Sequence, residues 1–252
     1  MIKATHKRLE RINEMIAPHS RILVLGCDTC TGICLVGGEK EVARMAANLR
    51  LLNRKNGGQK TVTEGVVRRQ CEMEFLDGAA NVINNADAVV SLACGVGMQA
   101  LAEHFPALPV YPGNNTMFLG LSPELGVFSE RCVACGDCLI DRTGGLCPIA
   151  RCAKHLFNGP CGGSVSGKCE ISADVPCIWQ LIVDRMTRLG QLSKLEDIKG
   201  VRDWKSNDAV GPRAYIREDL RKTPPKLESM TIKPVTTAQK GDALSLPKGG
   251  AA

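Results

Sequence analysis

The chain has 252 residues, a formal net charge of +6 and a hydrophobic content of 44%. This is enough for one sizeable core or two modest ones, and we expect two domains. Lys and Arg are scattered and aromatic residues make up only 4% of the chain, unlike the basic stripes with stacking aromatics of nucleic-acid modules. No apolar segment approaches the roughly 18 to 20 residues of a membrane span. The sequence therefore predicts a soluble, cytoplasmic protein that binds no nucleic acid.

The first half of the chain has the pattern of an α/β domain. A helix is expected first, within residues 1–20, with Leu9, Ile12 and Ile16 at helical spacing and Thr5 as its cap. The following strands are predicted at residues 21–26, 61–67, 87–93 and 109–111, and the helices from residue 39 and at 75–84 and 98–104. Strands that alternate with helices indicate an open parallel sheet of the Rossmann or flavodoxin-like kind, which we place at residues 21–125.

Five cysteines accompany the predicted strands of this domain. Cys27, Cys30 and Cys34 directly follow the first strand, Cys94 follows a later one, and Cys71 lies a few residues past another. Because the carboxyl ends of parallel strands share one edge, we expect four of these five thiols to form one metal site, most simply for a [4Fe-4S] cluster. Zinc, a redox or persulfide-type thiol pair and plain packing of buried cysteines are the alternatives.

The other eight cysteines lie within 46 residues, at Cys132, Cys135, Cys138, Cys147, Cys152, Cys161, Cys169 and Cys177. Eight thiolates are the ligand number of two [4Fe-4S] clusters. The C-x2-C-x2-C spacing of the first three cysteines, and the later Cys147-Pro148 pair, resemble the ferredoxin motif. The gap before Cys147 is eight residues, whereas the ferredoxin gap is three. The stretch therefore predicts two clusters, and the sequence leaves open which four cysteines share each one.

Zinc is the alternative to iron in this stretch, because four cysteine thiolates at similar spacing also hold structural zinc. Zinc ribbons usually have two C-x2-C pairs, whereas this stretch has a triple C-x2-C-x2-C followed by gaps of 4, 8, 7 and 7 residues. That pattern favours iron. Disulfides rarely persist in a reducing cytoplasm. His155 is expected at the surface and not as a ligand.

Residues 126–215 are thus expected to form a small, loop-rich, cysteine-rich iron-sulfur domain with helices. An amphipathic helix is predicted at residues 179–189, ending at Gly190, and a short helix after Ser193. Residues 216–252 contain several prolines and lysines and few large apolar residues. Such a segment cannot bury enough surface to fold alone, so we expect an extended or disordered tail suited to binding along a partner.

The cysteine-rich stretch resembles a known family. The similar segments are residues 131–138 (RCVACGDC), 143–148 (TGGLCP), 152–154 (CAK), 156–164 (LFNGPCGGS), 167–170 (GKCE) and 177–179 (CIW). They resemble the carboxyl-terminal domain family of methylenetetrahydrofolate reductase, closely over residues 130–215 and less specifically over residues 26–42 and 92–97. The chain is similar to the small iron-sulfur subunits of this reductase in acetogenic and related anaerobic bacteria.

The resemblance implies a place in the methyl branch of one-carbon metabolism. It implies a partner, a TIM-barrel subunit carrying FMN, that reduces 5,10-methylenetetrahydrofolate to 5-methyltetrahydrofolate with electrons passed on by this chain. The donor would be ferredoxin or another electron-donor module. The sequence shows no dinucleotide fingerprint and no carboxylate pair placed for folate chemistry, so we expect no catalytic residue and an inactive isolated chain. A zinc-binding scaffold subunit without a redox role is the alternative.

Overall fold

The computed structural model describes residues 1–207 and 211–219, and the chain divides into two compact units, Met1–Ala209 and Val210–Ala252. The strands are β1 (Ile2–His6), β2 (Arg21–Cys27), β3 (Thr61–Val67), β4 (Ala88–Ser91), β5 (Val110–Pro112), β6 (Asn114–Glu124), β7 (Val127–Cys132), β8 (Lys168–Cys169) and β9 (Ser172–Pro176). The α-helices are α1 (Leu9–Met15), α2 (Cys30–Ile33), α3 (Glu39–Lys55), α4 (Met73–Gly78), α5 (Ala80–Asn84), α6 (Gly95–His104), α7 (Pro148–Arg151) and α8 (Ile178–Arg188). Turns of 3₁₀-helix lie at Leu192–Glu196 and Trp204–Ser206. Most of the predicted tail, residues 220–252, lies outside the described residues.

A four-stranded parallel sheet with the order β3-β2-β4-β5 confirms the predicted sheet. The central strands β2 and β4 are buried on both sides because helices cover both faces. From β2, Ile22 and Val24 pack into the core on the side of α1 and α3, whereas Leu23 and Leu25 pack into the core with the helices that follow β3 and β4. The packed sheet is therefore the framework from which the loops with the amino-terminal cysteines extend.

An antiparallel sheet with the order β1-β6-β7 was not expected from the sequence. Thr5, predicted as a helix cap, lies in β1, and α1 begins after Arg8, whose side chain makes no capping hydrogen bond. The partner of β1 is β6, more than 100 residues away, so no local pattern reveals the pairing. The side chains of β6 are mostly exposed, and the strand therefore lacks the apolar alternation that would have predicted it.

Three predicted helices differ from the observed ones. The helix predicted at residues 75–84 is two short helices, α4 and α5, that meet at Ala79. Helix α6 begins at Gly95, before the predicted start at Met98. The short helix predicted after Ser193 is a 3₁₀ turn. The helix predicted from residue 39 is confirmed as α3, with acidic residues in its first turn and basic residues in its last, which suits the helix dipole.

The region after β7 consists mainly of loops, the two-stranded hairpin β8-β9 and two helices. Its small core is centred on α8, where Trp179, Ile182 and Met186 are buried and Leu146 and Cys152 pack against them. Among the described residues no helix combines the length and apolar character needed to cross a membrane. With so little apolar area to bury, this region relies on other interactions to hold its loops.

Candidate metal centres

Three amino-terminal cysteines lie at the carboxyl edge of the parallel sheet. Cys27 is the last residue of β2, Cys94 is the residue before α6 and follows β4, and Cys71 lies in the loop after β3. The strand order places β2 between β3 and β4. The loops that carry these three cysteines therefore begin at the same edge of the sheet.

Gln70 ties the loops at this edge together. Its side-chain amide is fully buried and donates to the carbonyl oxygens of Leu25 and Gly26 at 2.9 and 3.0 Å, at the end of β2. Its Oε1 accepts a 2.6 Å hydrogen bond from the hydroxyl of Ser91, the last residue of β4. One side chain from the β3 loop thus bridges the ends of two strands and holds the adjacent Cys71 in place. Sequence reasoning missed Gln70, since a lone glutamine carries no motif.

The thiols at this edge influence one another. Burial is the main cause that raises the pKa of the Cys27 thiol, and the neighbouring Cys94 adds to it. Burial also raises the pKa of Cys71, with the charges of Cys27 and Cys94 as further causes. The raised pKa values favour the protonated thiols of Cys27 and Cys71. A bound metal ion or cluster would provide the positive charge that stabilises the thiolate form.

Cys34 lies away from this edge. Its thiol is 2% exposed and donates to the carbonyl oxygens of Ile2, Ala4 and Thr31 at 3.7 to 3.9 Å. Together with Ala4 and Val36 it forms a small core beneath β1. Cys34 is thus the structurally packed member of the five predicted cysteines, whereas Cys30 begins α2 and is partly exposed.

In the carboxyl-terminal region, the loop after β7 presents the triple motif. The backbone N–H of Ala134 donates to the Sγ of Cys132 over 3.3 Å. Ala134 and Gly136 have φ angles of 52° and 84°, in the left-handed region that only glycine adopts at little cost. With these φ angles the backbone bends so that the amide of Ala134 points toward the sulfur of Cys132. Amide donors to cysteine sulfur are a feature of iron-sulfur loops and contribute to their reduction potential.

Cys147 is held close to this loop by α7. Its Sγ accepts a 3.4 Å hydrogen bond from the backbone N–H of Ala150 and so caps the helix, with Pro148 at the first helical position. Helix α7 packs against β7, which ends at Cys132. The loop that follows Cys132 and the helix that follows Cys147 therefore lie close to each other.

The segment of residues 199–206 wraps around the same loop. The Nη2 of Arg202 donates to the Sγ of Cys135 over 3.1 Å and to the carbonyl oxygen of Asp137. Lys199 contacts the carboxylate of Asp137 at 3.1 Å, and the hydroxyl of Ser206 donates to the carbonyl oxygen of Cys135 at 2.9 Å. Lys199 is the main cause of the lowered pKa of Asp137. Arg202 lies 25 residues beyond the last cysteine, and no spacing signal in the sequence identifies it.

The last four cysteines line a single cavity. Cys152, Cys161, Cys169 and Cys177 line one small cavity of about 20 Å³ that is partly open to solvent, with Trp179 on its wall. The indole Nε1 of Trp179 donates to the carbonyl oxygen of Leu156 at 3.0 Å, which fixes the ring. The backbone N–H of Gly163 donates to the Sγ of Cys161 at 3.4 Å. The four cysteines thus come from separate parts of the chain, Cys169 from β8, and line one space.

A charged pair borders this cavity. Lys154 forms an ion pair with Glu170, which raises the pKa of the lysine and lowers the pKa of the carboxyl. The Sγ of Cys161 donates to the Oε2 of Glu170 at 3.6 Å. His155 is exposed, as predicted, and its Nδ1 contacts the carbonyl oxygen of Ile149 at 2.6 Å. The cavity wall therefore holds thiols and a balanced ion pair, with the histidine directed elsewhere.

Within residues 1–207 and 211–219, no group of three or more His, Cys, Asp or Glu side chains is arranged to hold a metal ion. A single ion needs its ligands to converge on one point, at about 2.3 Å for zinc and cysteine sulfur. In a [4Fe-4S] cluster each cysteine binds a different iron, so four thiols stand around a volume instead. The cavity lined by Cys152, Cys161, Cys169 and Cys177 and the amide donors to sulfur fit the second arrangement.

One comparison with known proteins gives a match. Residues 111–205 match the sequence model of the family described as "Methylene-tetrahydrofolate reductase C terminal". The matched segment spans 95 of the 252 residues and contains all eight carboxyl-terminal cysteines and Arg202. Comparison with curated proteins and with solved structures gives no significant match. Residues 111–205 are thus similar to the carboxyl-terminal domain of methylenetetrahydrofolate reductase, which fits a role related to that oxidoreductase.

Proposed function

We propose that the chain is the iron-sulfur electron-transfer subunit of a methylenetetrahydrofolate reductase complex. The observation that carries the proposal is the cavity lined by Cys152, Cys161, Cys169 and Cys177 inside the segment that matches the reductase family. A packing role for these cysteines would bury each one separately among apolar side chains. Four thiols on one partly open space instead suit a shared metal group.

The eight thiols divide into two quartets in this proposal. Cys152, Cys161, Cys169 and Cys177 form one quartet around the cavity. The other is the loop cluster of Cys132, Cys135, Cys138 and Cys147, drawn together by the triple motif and by the packing of α7 on β7. Each quartet holds one [4Fe-4S] cluster, and such clusters supply one-electron transfer when bound.

Exposed thiols in each quartet suit electron transfer to another protein. Cys132 and Cys138 of the first quartet and Cys161 of the second are exposed. One side of each site thus reaches the surface, where a donor or an acceptor can approach. Each quartet also has a buried neighbour, namely Arg202 beside Cys135 and Trp179 beside the cavity.

The catalytic partner in this proposal is a TIM-barrel subunit that carries FMN and reduces 5,10-methylenetetrahydrofolate, and the electron donor is ferredoxin or another donor module. No carboxylate pair or nucleotide site accompanies the thiols in the residues that line the cavity. We therefore assign the reduction of the folate to the partner and expect the isolated chain to be inactive. A zinc-binding scaffold is the second candidate, since four cysteine thiolates also hold structural zinc.

Electron transfer to the flavin tests the proposal. The full chain, purified anaerobically and reduced with dithionite that is then removed, is mixed in a stopped-flow instrument with the oxidised flavin subunit, and bleaching of the flavin absorbance is followed. Rapid bleaching supports the proposal. The Cys34→Ala variant should bleach the flavin equally fast, because Cys34 packs beneath β1. A flavin that stays oxidised, or equal bleaching by a chain stripped of iron, contradicts the proposal.

A further inference from the structure

The amino-terminal thiols lie at the topological switch point of the parallel sheet. From β2 the chain moves outward to β3, then returns to β4 on the other side of β2 and continues to β5. The order of strands therefore reverses between β2 and β4. In open parallel sheets ligands bind outside the carboxyl ends of the strands at this reversal. Cys27 ends β2 and Cys94 follows β4, so both cysteines border the reversal itself.

Cys71 reaches the same place from the third loop. A Cβ added to Gly97 would lie 3.0 Å from the side chains of both Ala93 and Gln70, and 3.6 Å from the backbone N of Cys71. The first turn of α6 therefore packs directly on the backbone of residues 70 and 71. Since Cys94 precedes this turn, Cys71 and Cys94 are close neighbours. Gly97 permits this approach because any larger residue would push the loop away.

Cys27 faces the same loop. Its Sγ lies 4.0 Å from the carbonyl oxygen of Arg68, and the backbone N–H of Asp28 donates to Val67 at 3.0 Å. The end of β2 is thus tied to the loop that carries Cys71. Cys30 begins α2 one turn later and is partly exposed, whereas Cys34 is packed under β1. Cys27, Cys71 and Cys94 thus lie together at this edge, and Cys30 is the fourth candidate because Cys34 is packed elsewhere.

We propose that Cys27, Cys30, Cys71 and Cys94 form a third, separate four-thiolate metal site at the switch point of the parallel sheet, with a [4Fe-4S] cluster as its expected occupant. The site lies outside residues 111–205, the segment that matches the reductase family. Its thiols come from three loops around a common edge of the sheet, and four cysteine thiolates are the ligand set of a [4Fe-4S] cluster. The α6 amino terminus adds backbone N–H groups that favour the negative charge of a thiolate-ligated cluster.

Metal analysis of paired variants tests this site. Iron, sulfide and zinc are measured per chain for the full-length protein purified anaerobically and reconstituted with iron and sulfide. Cys71→Ser and Cys94→Ser should each lose about four irons, and the double variant should also lose about four, because both thiols serve one cluster. Cys34→Ala, a buried control outside the site, should keep the wild-type content.

Protection from alkylation gives a second measurement that does not depend on variants that may alter folding. In the metal-loaded chain iodoacetamide should label Cys71, Cys27, Cys30 and Cys94 slowly, and removal of the metal with a chelator should expose them together. If Cys71→Ser and Cys94→Ser each lose one zinc instead of four irons, the site is supported and its occupant is zinc, not a cluster. Unchanged metal content in these variants, or an equal loss in Cys34→Ala, overturns the site. The result is independent of the carboxyl-terminal quartets, whose irons are removed by Cys161→Ser or Cys132→Ser.

Discussion

The guanidinium of Arg202 donates a hydrogen bond from Nη2 to the Sγ of Cys135 over 3.1 Å, and the arginine side chain is fully shielded from solvent. Its Nε and Nη1 have no hydrogen-bond partner among the described residues, although Nη1 lies 3.5 Å from the carboxylate of Asp137. The guanidinium also stacks on Trp204, at 4.9 Å from the ring centroid. A buried cation with so few partners is unfavourable unless negative charge lies nearby. Asp137 provides one negative charge, and a metal-bound Cys135 thiolate would provide a second.

Replacing this charge should lower the reduction potential of the cluster that Cys135 binds. The positive charge of Arg202 favours the reduced, more negative cluster, so Arg202→Gln should shift the midpoint potential to more negative values. An EPR-monitored redox titration of the full chain measures the shift. Lys205→Gln removes a charge from an exposed position in the same segment and should shift the potential much less, because solvent screens it. Equal shifts in the two variants would contradict a specific role for Arg202.

The two proposed quartets predict how iron losses combine. Cys161→Ser and Cys169→Ser belong to one quartet, so their double variant should lose about four irons, as each single variant does. Cys161→Ser combined with Cys132→Ser should lose about eight, because these cysteines serve different clusters. Iron and sulfide analysis of the reconstituted proteins reads out the losses. Additive losses within the first pair would show that the cavity thiols do not share one cluster.

The packing at the end of β2 predicts a sharp effect on stability. A Cβ added to Gly26 would lie 2.5 Å from the carbonyl oxygen of Gly37 and 2.6 Å from Val42. Gly26→Ala should therefore lower the free energy of unfolding by about 1 to 3 kcal/mol through overpacking. Chemical denaturation followed by circular dichroism measures it. Gly78→Ala is the matched control, because nothing lies within 4 Å of that added Cβ, and its stability should be equal or slightly higher.

An ion pair at the start of β2 predicts a pH dependence. The carboxylate of Asp87 accepts hydrogen bonds from the backbone N–H of Arg21 at 2.9 Å and from its guanidinium at 2.7 and 2.9 Å, and these bonds lower the pKa of Asp87. A lowered pKa in the folded state contributes stability at neutral pH that is lost as the pH falls through that pKa.

Asp87→Asn should thus be less stable than the wild type at pH 7, and the difference should shrink toward acidic pH. Thermal unfolding measured between neutral and acidic pH tests this. Glu10→Gln, in an exposed ion pair with Arg8 of 3.6 Å, should change little at any pH. A constant difference between Asp87→Asn and the wild type across this range would contradict the assignment.

The sequence predicted the parallel sheet well because its central strands β2 and β4 are largely apolar runs. Residues 22–25 of β2 are a run of apolar residues, and α3 has buried residues at helical spacing. Each element could therefore be located from its own sequence pattern. The strands β1 and β6 pair across more than 100 residues and expose many side chains, so only the tertiary fold reveals them. Pairing between strands so far apart in the chain produces no pattern within a short stretch of sequence.

In the candidate sites, too, some residues could be identified from the sequence and others only from the tertiary fold. Spacing alone identified the cysteines, but it could not separate Cys34, which packs beneath β1, from its neighbours Cys27 and Cys30. The residues that hold the sites, Gln70 and Arg202, act through tertiary contacts and belong to no motif. The cavity of the last four cysteines likewise depends on how separate loops fold together.

Metal content with EPR tests the central claim most directly. We predict that the full chain, purified anaerobically, contains iron and sulfide for at least two [4Fe-4S] clusters, which is about eight irons, and about twelve if the sheet-edge site is also filled. Reduction with dithionite should produce EPR signals of reduced [4Fe-4S] clusters. A chain that contains stoichiometric zinc, no iron and no reducible signal would contradict the account.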